Sequence, residues 1–156
     1  MKYRLRITDK ENKKEINVSE DEIIEVKYKI GLAEDTNLAN SRSTVEMEIT
    51  GKIISNLENA GNNLNSENKS VNDDLYERNK KNIIDLVEWA ESYLQKSDYR
   101  NLEMFVDLGS NKKMDLKFTN MFVYNFLQEM SIEKGIGIFK LKLRQKFHQK
   151  NKLDIK

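Results

Sequence analysis

Along most of this chain, apolar and charged residues take turns one by one, and a period of two is the geometry of a β-strand with one oily face and one ionic face. In STVEMEITGKI, Val45, Met47, Ile49 and Ile53 alternate with Thr44, Glu46, Glu48, Thr50 and Lys52. KYRLRIT sets Tyr3, Leu5 and Ile7 against Arg4 and Arg6, and a charged turn, DKENKK, follows it. EIIEVKYKIG sets Ile24, Val26, Tyr28 and Ile30 against Glu25, Lys27 and Lys29, and it stops at Gly31, where a strand can break.

The same rhythm returns in the second half. DYRNLEMFVDLG places Leu102, Met104, Val106 and Leu108 on one side, and GIGIFKLKLRQKF opposes Phe139, Leu141 and Leu143 to Lys140, Lys142 and Arg144. Between them, after a GSNKK turn, lies the longest strand candidate, MDLKFTNMFVYNFLQEM. There Met114, Leu116, Phe118, Phe122, Tyr124 and Phe126 share one parity. Beyond Asn120 the other parity is apolar as well, through Met121, Val123 and Leu127, which predicts cover on both faces of that half. The tail HQKNKLDIK is expected to fray.

One segment keeps a different period. Ile83, Leu86, Val87, Ala90 and Leu94 recur at three- and four-residue intervals, the spacing of a single stripe on a helix, with Trp89 and Tyr93 flanking it. Asp73 or Asp74 is a suitable cap for its start, and its end is expected near Ser97. Before it, the asparagine- and serine-rich stretch 55–74 has few large apolar side chains and reads as a flexible loop. A second long connection spans residues 32–42. Gly51 inside a strand pattern marks a bulge or a close backbone approach, and Gly135 and Gly137 read as residues of a turn and a strand start.

Strands on both sides of one helix, without regular βαβ alternation, indicate an antiparallel barrel or a two-sheet sandwich with a flanking helix. At 156 residues, with 38% hydrophobic residues, the chain fits one domain over 1–156 with a sizeable core.

Charge and residue types exclude several functions. Lys and Arg number 27 and Asp and Glu 26, so the broad positive field on which phosphate-backbone binding depends is missing and nucleic acid is not an expected partner. Without cysteine the chain has no disulfide, thiol nucleophile or cysteine-ligated metal. The N-terminal segment lacks the apolar stretch of a secretory signal, and FTNMFVYNFLQ is too short to cross a bilayer as a helix, so the expected address is the cytoplasm with no direct membrane insertion. His148, in KFHQKNK, has no adjacent nucleophile or orienting acid and reads as a surface residue. The clusters Glu20-Asp21-Glu22 and Asp73-Asp74 lack calcium-loop spacing and read as a turn and a helix cap. No catalytic residue, cofactor site or metal site is therefore expected.

Glu46 and Glu48, at i and i+2 on one strand face, stand about 6.5–7 Å apart along the backbone, but no neighbouring feature of the sequence separates their pKa values as acid–nucleophile chemistry requires. The ionic rows admit two readings that stay open at this level: a solvated sheet face, or a face that pairs across the sheet and between chains. The candidates for a subunit-facing surface are Lys27, Lys29, Glu46, Glu48, Lys52, Lys140, Lys142 and Arg144.

Taken together, EIIEVKYKIG, RSTVEMEITGKI, NIIDLVEWAESYL, DYRNLEMFVDL, MDLKFTNMFVYNFLQEM and GIGIFKLKLRQKF resemble, in order and length, the tail-tube family of contractile phage tails, R-type bacteriocins, contractile injection systems and the haemolysin-coregulated protein of type VI secretion. That resemblance implies a non-enzymatic structural subunit that forms six-membered rings, stacked into a hollow tube whose wall is continuous between subunits. It implies that the Glu46, Glu48 and Lys52 face looks at a lumen or a neighbouring chain, and that the loop bearing Glu34, Asp35, Asn37, Asn40 and Arg42 reaches the next ring. Its implied partners are copies of itself and sheath, spike or baseplate proteins, and its particle would be released after assembly in the cytoplasm. A baseplate or tube-end role, a small ligand-binding barrel and a hydrolase are the alternatives.

Overall fold

Every alternating segment is a strand in a computed structural model of the chain, which describes residues 1–11, 13–31, 44–55, 66–92, 98–133, 136–145 and 153–156. The elements are β1 (Lys2–Asp9), β2 (Glu15–Val18), β3 (Ile23–Gly31), β4 (Thr44–Ile53), α1 (Ser66–Glu91), β5 (Arg100–Gly109), β6 (Lys112–Ser131), β7 (Ile136–Gln145) and β8 (Leu153–Ile155). They form one antiparallel sheet in the order β2-β1-β5-β6-β7-β4-β3, with β8 added to β6. The expected mainly β, antiparallel architecture with one helix is what the structure has; in place of a barrel or two-sheet sandwich the strands make a single sheet, not closed into a barrel. The physical reason is β6, whose 20 residues pair with β5 over residues 112–121 and with β7 over 121–131, so both halves share one strand. The sheet nevertheless curls: Tyr28 on β3 meets Phe118 on β6 edge to face, with ring centroids 5.5 Å apart.

The long strand keeps its register only by breaking it twice. Asn120 takes φ 52°, a conformation asparagine tolerates better than most residues, and the pairing slips by one between Phe118 and Met121. A second slip falls between Val123 and Asn125. Leu116 and Phe118 therefore point inward, then Met121 and Val123 do, and Tyr124 faces solvent. The single parity expected for Phe118, Phe122 and Tyr124 fails for that reason, and Leu127 is exposed, not covered.

The structure adds two short strands that the pattern does not announce. β2 carries only Ile16 and Val18 inward, and β8 turns the expected frayed tail into a strand, with the backbone of Lys156 exchanging both hydrogen bonds with Asp115 at 2.9 Å. On β3 a slip between Ile23 and Glu25 makes Ile23 the buried residue and leaves Ile24 outside. The β5–β6 hairpin closes through Ser110 and Asn111, φ 52° and 62°, a two-residue turn with both centres left-handed, as the twist of a hairpin favours.

The helix starts at Ser66, well before Asp73 and Asp74, so these are not its cap, and it ends at Glu91, short of Ser97. Asparagine and serine are poor helix formers, but 66–91 contains neither glycine nor proline, and such weak preferences yield to tertiary context. The Asp74–Arg78 and Lys81–Asp85 pairs support it one turn apart. Trp89 is fully buried within the inner stripe, in the last turn of the helix, donating from Nε1 to the Asp98 carbonyl at 2.8 Å, with the buried Arg100 guanidinium 5.3 Å from its ring. Burial holds the Arg100 pKa below the ordinary arginine value. Trp89, Phe118, Phe139 and the inward aliphatic residues of the strands form one core, each large side chain contributing about 1.5–3 kcal/mol by leaving water.

Candidate self-association surface

Strand pairing lays the charged faces of β3, β4 and β7 side by side, because the inward set on each strand is opposite the inward set on the next. Lys29 lies opposite Glu46 and Glu46 opposite Arg144; one step along, Lys27 lies opposite Glu48 and Glu48 opposite Lys142. Thr50 lies opposite Glu25 and Lys140. The structure thus gathers Lys27, Lys29, Glu46, Glu48, Lys52, Lys140, Lys142 and Arg144 on one surface. Arg144 Nε donates to Glu46 Oε1 at 3.0 Å while its guanidinium covers Tyr124 at 4.2 Å, and Lys142 Nζ stands 3.6 Å from Glu48. Lys27 pairs along its own strand with Glu25 at 3.0 Å, which raises the Lys27 pKa. Lys29, Lys52 and Lys140 make no ion pair among the described residues.

Half-exposed pairs of this kind are each worth about 0–1 kcal/mol, so this face contributes register and selectivity more than stability. The acids Glu46 and Glu48 are tied to cations, and the arrangement is a lattice of ion pairs, not an acid–base dyad.

Two strand edges accompany that face. β3 ends the sheet, and among the described residues no strand pairs with its outer side. β6 loses its β5 neighbour after Met121, so residues 122–131 have no strand partner on that side among the described residues. Apolar side chains gather at both edges: Ile24, Tyr28 and Ile30 on β3, and Leu127, Met130, Ile132 and Ile136 around the β6–β7 tip. Between α1 (Val87, Ala90, Glu91) and residues 122–126 runs a groove of about 490 Å³.

A buried polar knot, which no apolar period announces, fastens the helix to β2 and to the end of β4. Glu22 is 1% exposed, and its carboxylate accepts from the Ser19 N–H (2.8 Å), the Ser19 hydroxyl (2.9 Å), Asn79 Nδ2 (3.0 Å) and Asn82 Nδ2 (3.0 Å). Asn79 also accepts from the Ile54 N–H and donates to the Lys52 carbonyl, and Asn82 donates to the Asn17 carbonyl. The acidic run at 20–22 is a turn, as expected, but Glu22 points in from it. The signal was the pair of asparagines, Asn79 and Asn82, in phase with the buried stripe Ile83, Leu86 and Trp89.

Glu34, Asp35, Asn37, Asn40 and Arg42, and likewise His148, Tyr93, Leu94, Gly135 and residues 56–65 of the Asn-rich stretch, lie outside the described residues. Among the described residues no group of three or more His, Cys, Asp and Glu is placed to hold a metal ion.

No protein-family model and no curated protein matches this sequence. Solved structures do match its fold, over essentially the whole chain. Hcp1 of the E. coli EAEC 042 pathovar superposes with a TM-score of 0.58 at 11% identity, covering 100% of this chain and 98% of that one. Hcp1 from Flavobacterium johnsoniae gives 0.53 at 12% identity, covering 99% and 94%. A chain of the six-fold symmetrised baseplate of the anti-feeding prophage gives 0.50 at 5% identity, covering 99% and 92%. The chain shares the fold of these proteins.

Proposed function

We propose that this protein is a structural subunit of a contractile injection particle, assembling into closed rings of six that stack into an inner tube. The observation that carries this reading is the likeness to Hcp1, which extends over 100% of this chain and 98% of that one. The six-fold symmetry of the anti-feeding prophage baseplate favours six copies. In such a ring the ionic surface of β3, β4 and β7 lines the bore, and the subunit contributes rigidity and a passage, with no bond chemistry. Sheath, spike and baseplate proteins are the further partners, and assembly takes place in the cytoplasm before release.

Electron microscopy of the concentrated protein, with light scattering across a dilution series, tests the reading. Closed rings that dissociate on dilution are expected. A monomer at every concentration would overturn it. The baseplate likeness favours a second reading, in which the chain sits at the tube end; rings that never stack would select it.

A further inference from the structure

We infer that the ionic face of β3, β4 and β7 takes up an acidic polypeptide, and that Lys29, Lys52 and Lys140 are the groups that meet its carboxylates. The inference rests on the ring reading, which turns this face toward the bore, and goes beyond it by naming the chemistry of what the bore accepts.

Charge on this face is dense and unbalanced. Register places Lys27, Lys29, Lys52, Lys140, Lys142 and Arg144 on its outward side. Against these cations stand Glu25, Glu46 and Glu48, with Glu129 of β6 at the border. Three of the acids are already engaged, Glu25 by Lys27, Glu46 by Arg144 and Glu48 by Lys142. Lys29, Lys52 and Lys140 are left without an ion pair among the described residues. The whole chain has a net charge of only +1, so the surplus here is a matter of placement.

Two of these lysines are neighbours. Lys140 lies opposite Thr50, and Lys52 follows Thr50 by two residues on the same face, so their backbone positions are about 7–8 Å apart on a diagonal. Like charges at that spacing repel, and the subunit places no carboxylate beside them on either flank: Lys52 faces Ile138 across the β4–β7 pair, and Lys140 faces Leu127 across the β7–β6 pair. Glu25, opposite Thr50, is held by Lys27. A carboxylate from outside the subunit would relieve the repulsion. Around six copies the surplus repeats, and about twelve excess positive charges within one low-dielectric wall concentrate the field in the channel.

The same face suits a polypeptide better than a nucleic acid. Single strands are held by aromatic platforms as well as by cations. The rings nearest the cations, Tyr124 and Phe122, are already occupied, one under the Arg144 guanidinium at 4.2 Å and the other against Tyr99 at 5.8 Å. Glu46 and Glu48, interleaved with the lysines, also repel an unbroken row of phosphates, whereas peptide carboxylates separated by neutral residues meet the lysines singly.

Fluorescence anisotropy with preformed rings tests the inference, using labelled polyglutamate and labelled polylysine of equal length. Polyglutamate is expected to bind at least tenfold more tightly than polylysine and to be released as salt is raised. Rings of the Lys29→Gln/Lys52→Gln/Lys140→Gln variant should bind polyglutamate at least tenfold more weakly than wild type, and rings of the Lys29→Arg/Lys52→Arg/Lys140→Arg variant should keep the wild-type affinity. Lys52→Gln alone, at an exposed position, carries the same test with a loss of at least threefold if the triple glutamine variant forms no rings. Rings that bind both peptides alike, or glutamine variants that bind polyglutamate as wild type does, would overturn the inference and leave the ring reading standing. Tighter binding of a single-stranded oligothymidylate than of polyglutamate would overturn the polypeptide assignment. The absence of rings at any concentration would overturn the ring reading and the inference with it.

Discussion

The sheet has two end strands, and they are finished in opposite ways. β2 is only four residues long, yet Ile16 and Val18 are each 2% exposed, its backbone carbonyl at Asn17 accepts from Asn82 of the helix, and its outward Glu15 is tied to Arg6 and Asn17. β3 is more than twice as long and carries a fuller apolar stripe, but Tyr28, Ile30 and the displaced Ile24 remain about half exposed. The ionic rows differ in the same sense. Across β2, β1, β5 and β6 the row Glu15–Arg6–Glu103–Lys117 is linked throughout, at 3.1, 3.7 and 3.3 Å, whereas the β3–β4–β7 face keeps Lys29, Lys52 and Lys140 without an ion pair among the described residues. One edge is completed within the subunit, and the other is left incomplete among the described residues.

The sharpest way to break that contrast is a matched pair of truncations. Ile16→Ala removes a side chain packed on all sides and should cost about 2–5 kcal/mol in chemical denaturation. Ile30→Ala should cost less than about 1 kcal/mol in the dissociated subunit, since half of that side chain is already in water. Equal losses would mean that β3 is as much a part of the monomer's core as β2.

The next largest effect belongs to Glu22, whose partners Asn79 and Asn82 tie the helix to β4 and β2. Its carboxylate faces only donors, from Ser19, Asn79 and Asn82. A glutamine there would turn its own N–H groups toward other N–H groups, so Glu22→Gln is expected to destabilise nearly as much as Glu22→Ala, about 2–4 kcal/mol each by thermal melting. A silent Glu22→Gln variant would show that the knot is not what completes the β2 side.

How much of this was readable beforehand divides along the same line. The long strands β1, β3, β4, β5 and β7 declare themselves, because each repeats its alternation several times, and the surface of Lys27, Glu46, Glu48, Lys142 and Arg144 follows from those faces once the strands lie side by side. β2 and β8 offer two inward or alternating apolar positions at most, too few for a period to emerge. The bulges at Ile24 and Asn120 reverse parity through backbone geometry that composition does not encode, which is why Tyr124 and Ile24 came out on the unexpected side. Pairing order is a long-range property, so neither the sharing of β6 nor the open edges it creates was legible. Asn79 and Asn82 were hidden because a stripe is ordinarily sought in apolar residues alone.

Gly51 gives a smaller test of the β3 side. It lies opposite both Ile23 and Phe139, and the Phe139 ring sits over it so closely that an added Cβ would be inside van der Waals contact. Gly51→Ala must push a fully buried ring aside, at a cost of about 1–3 kcal/mol. Phe139→Leu in the Gly51→Ala background should recover part of it, because the intruding ring edge is gone. No recovery would place the strain in the backbone at the β3 bulge instead.

The smallest effect concerns the finished edge alone. The Asn17 amide and then the Arg6 guanidinium hold the exposed Glu15 carboxyl below its ordinary pKa. A carboxyl with a folded-state pKa below the unfolded one stabilises above the unfolded value, near 4.3 for glutamate, and the contribution fades as pH falls through the folded value. Hydrogen exchange at the β1–β2 amides should therefore quicken below about pH 4 by more in the wild type than in Glu15→Gln, while β3 amides in the dissociated subunit respond alike in both. An identical acid response at β2 in the two proteins would detach the ion pairs of that edge from its order, and assign its closure to the helix and the knot at Glu22.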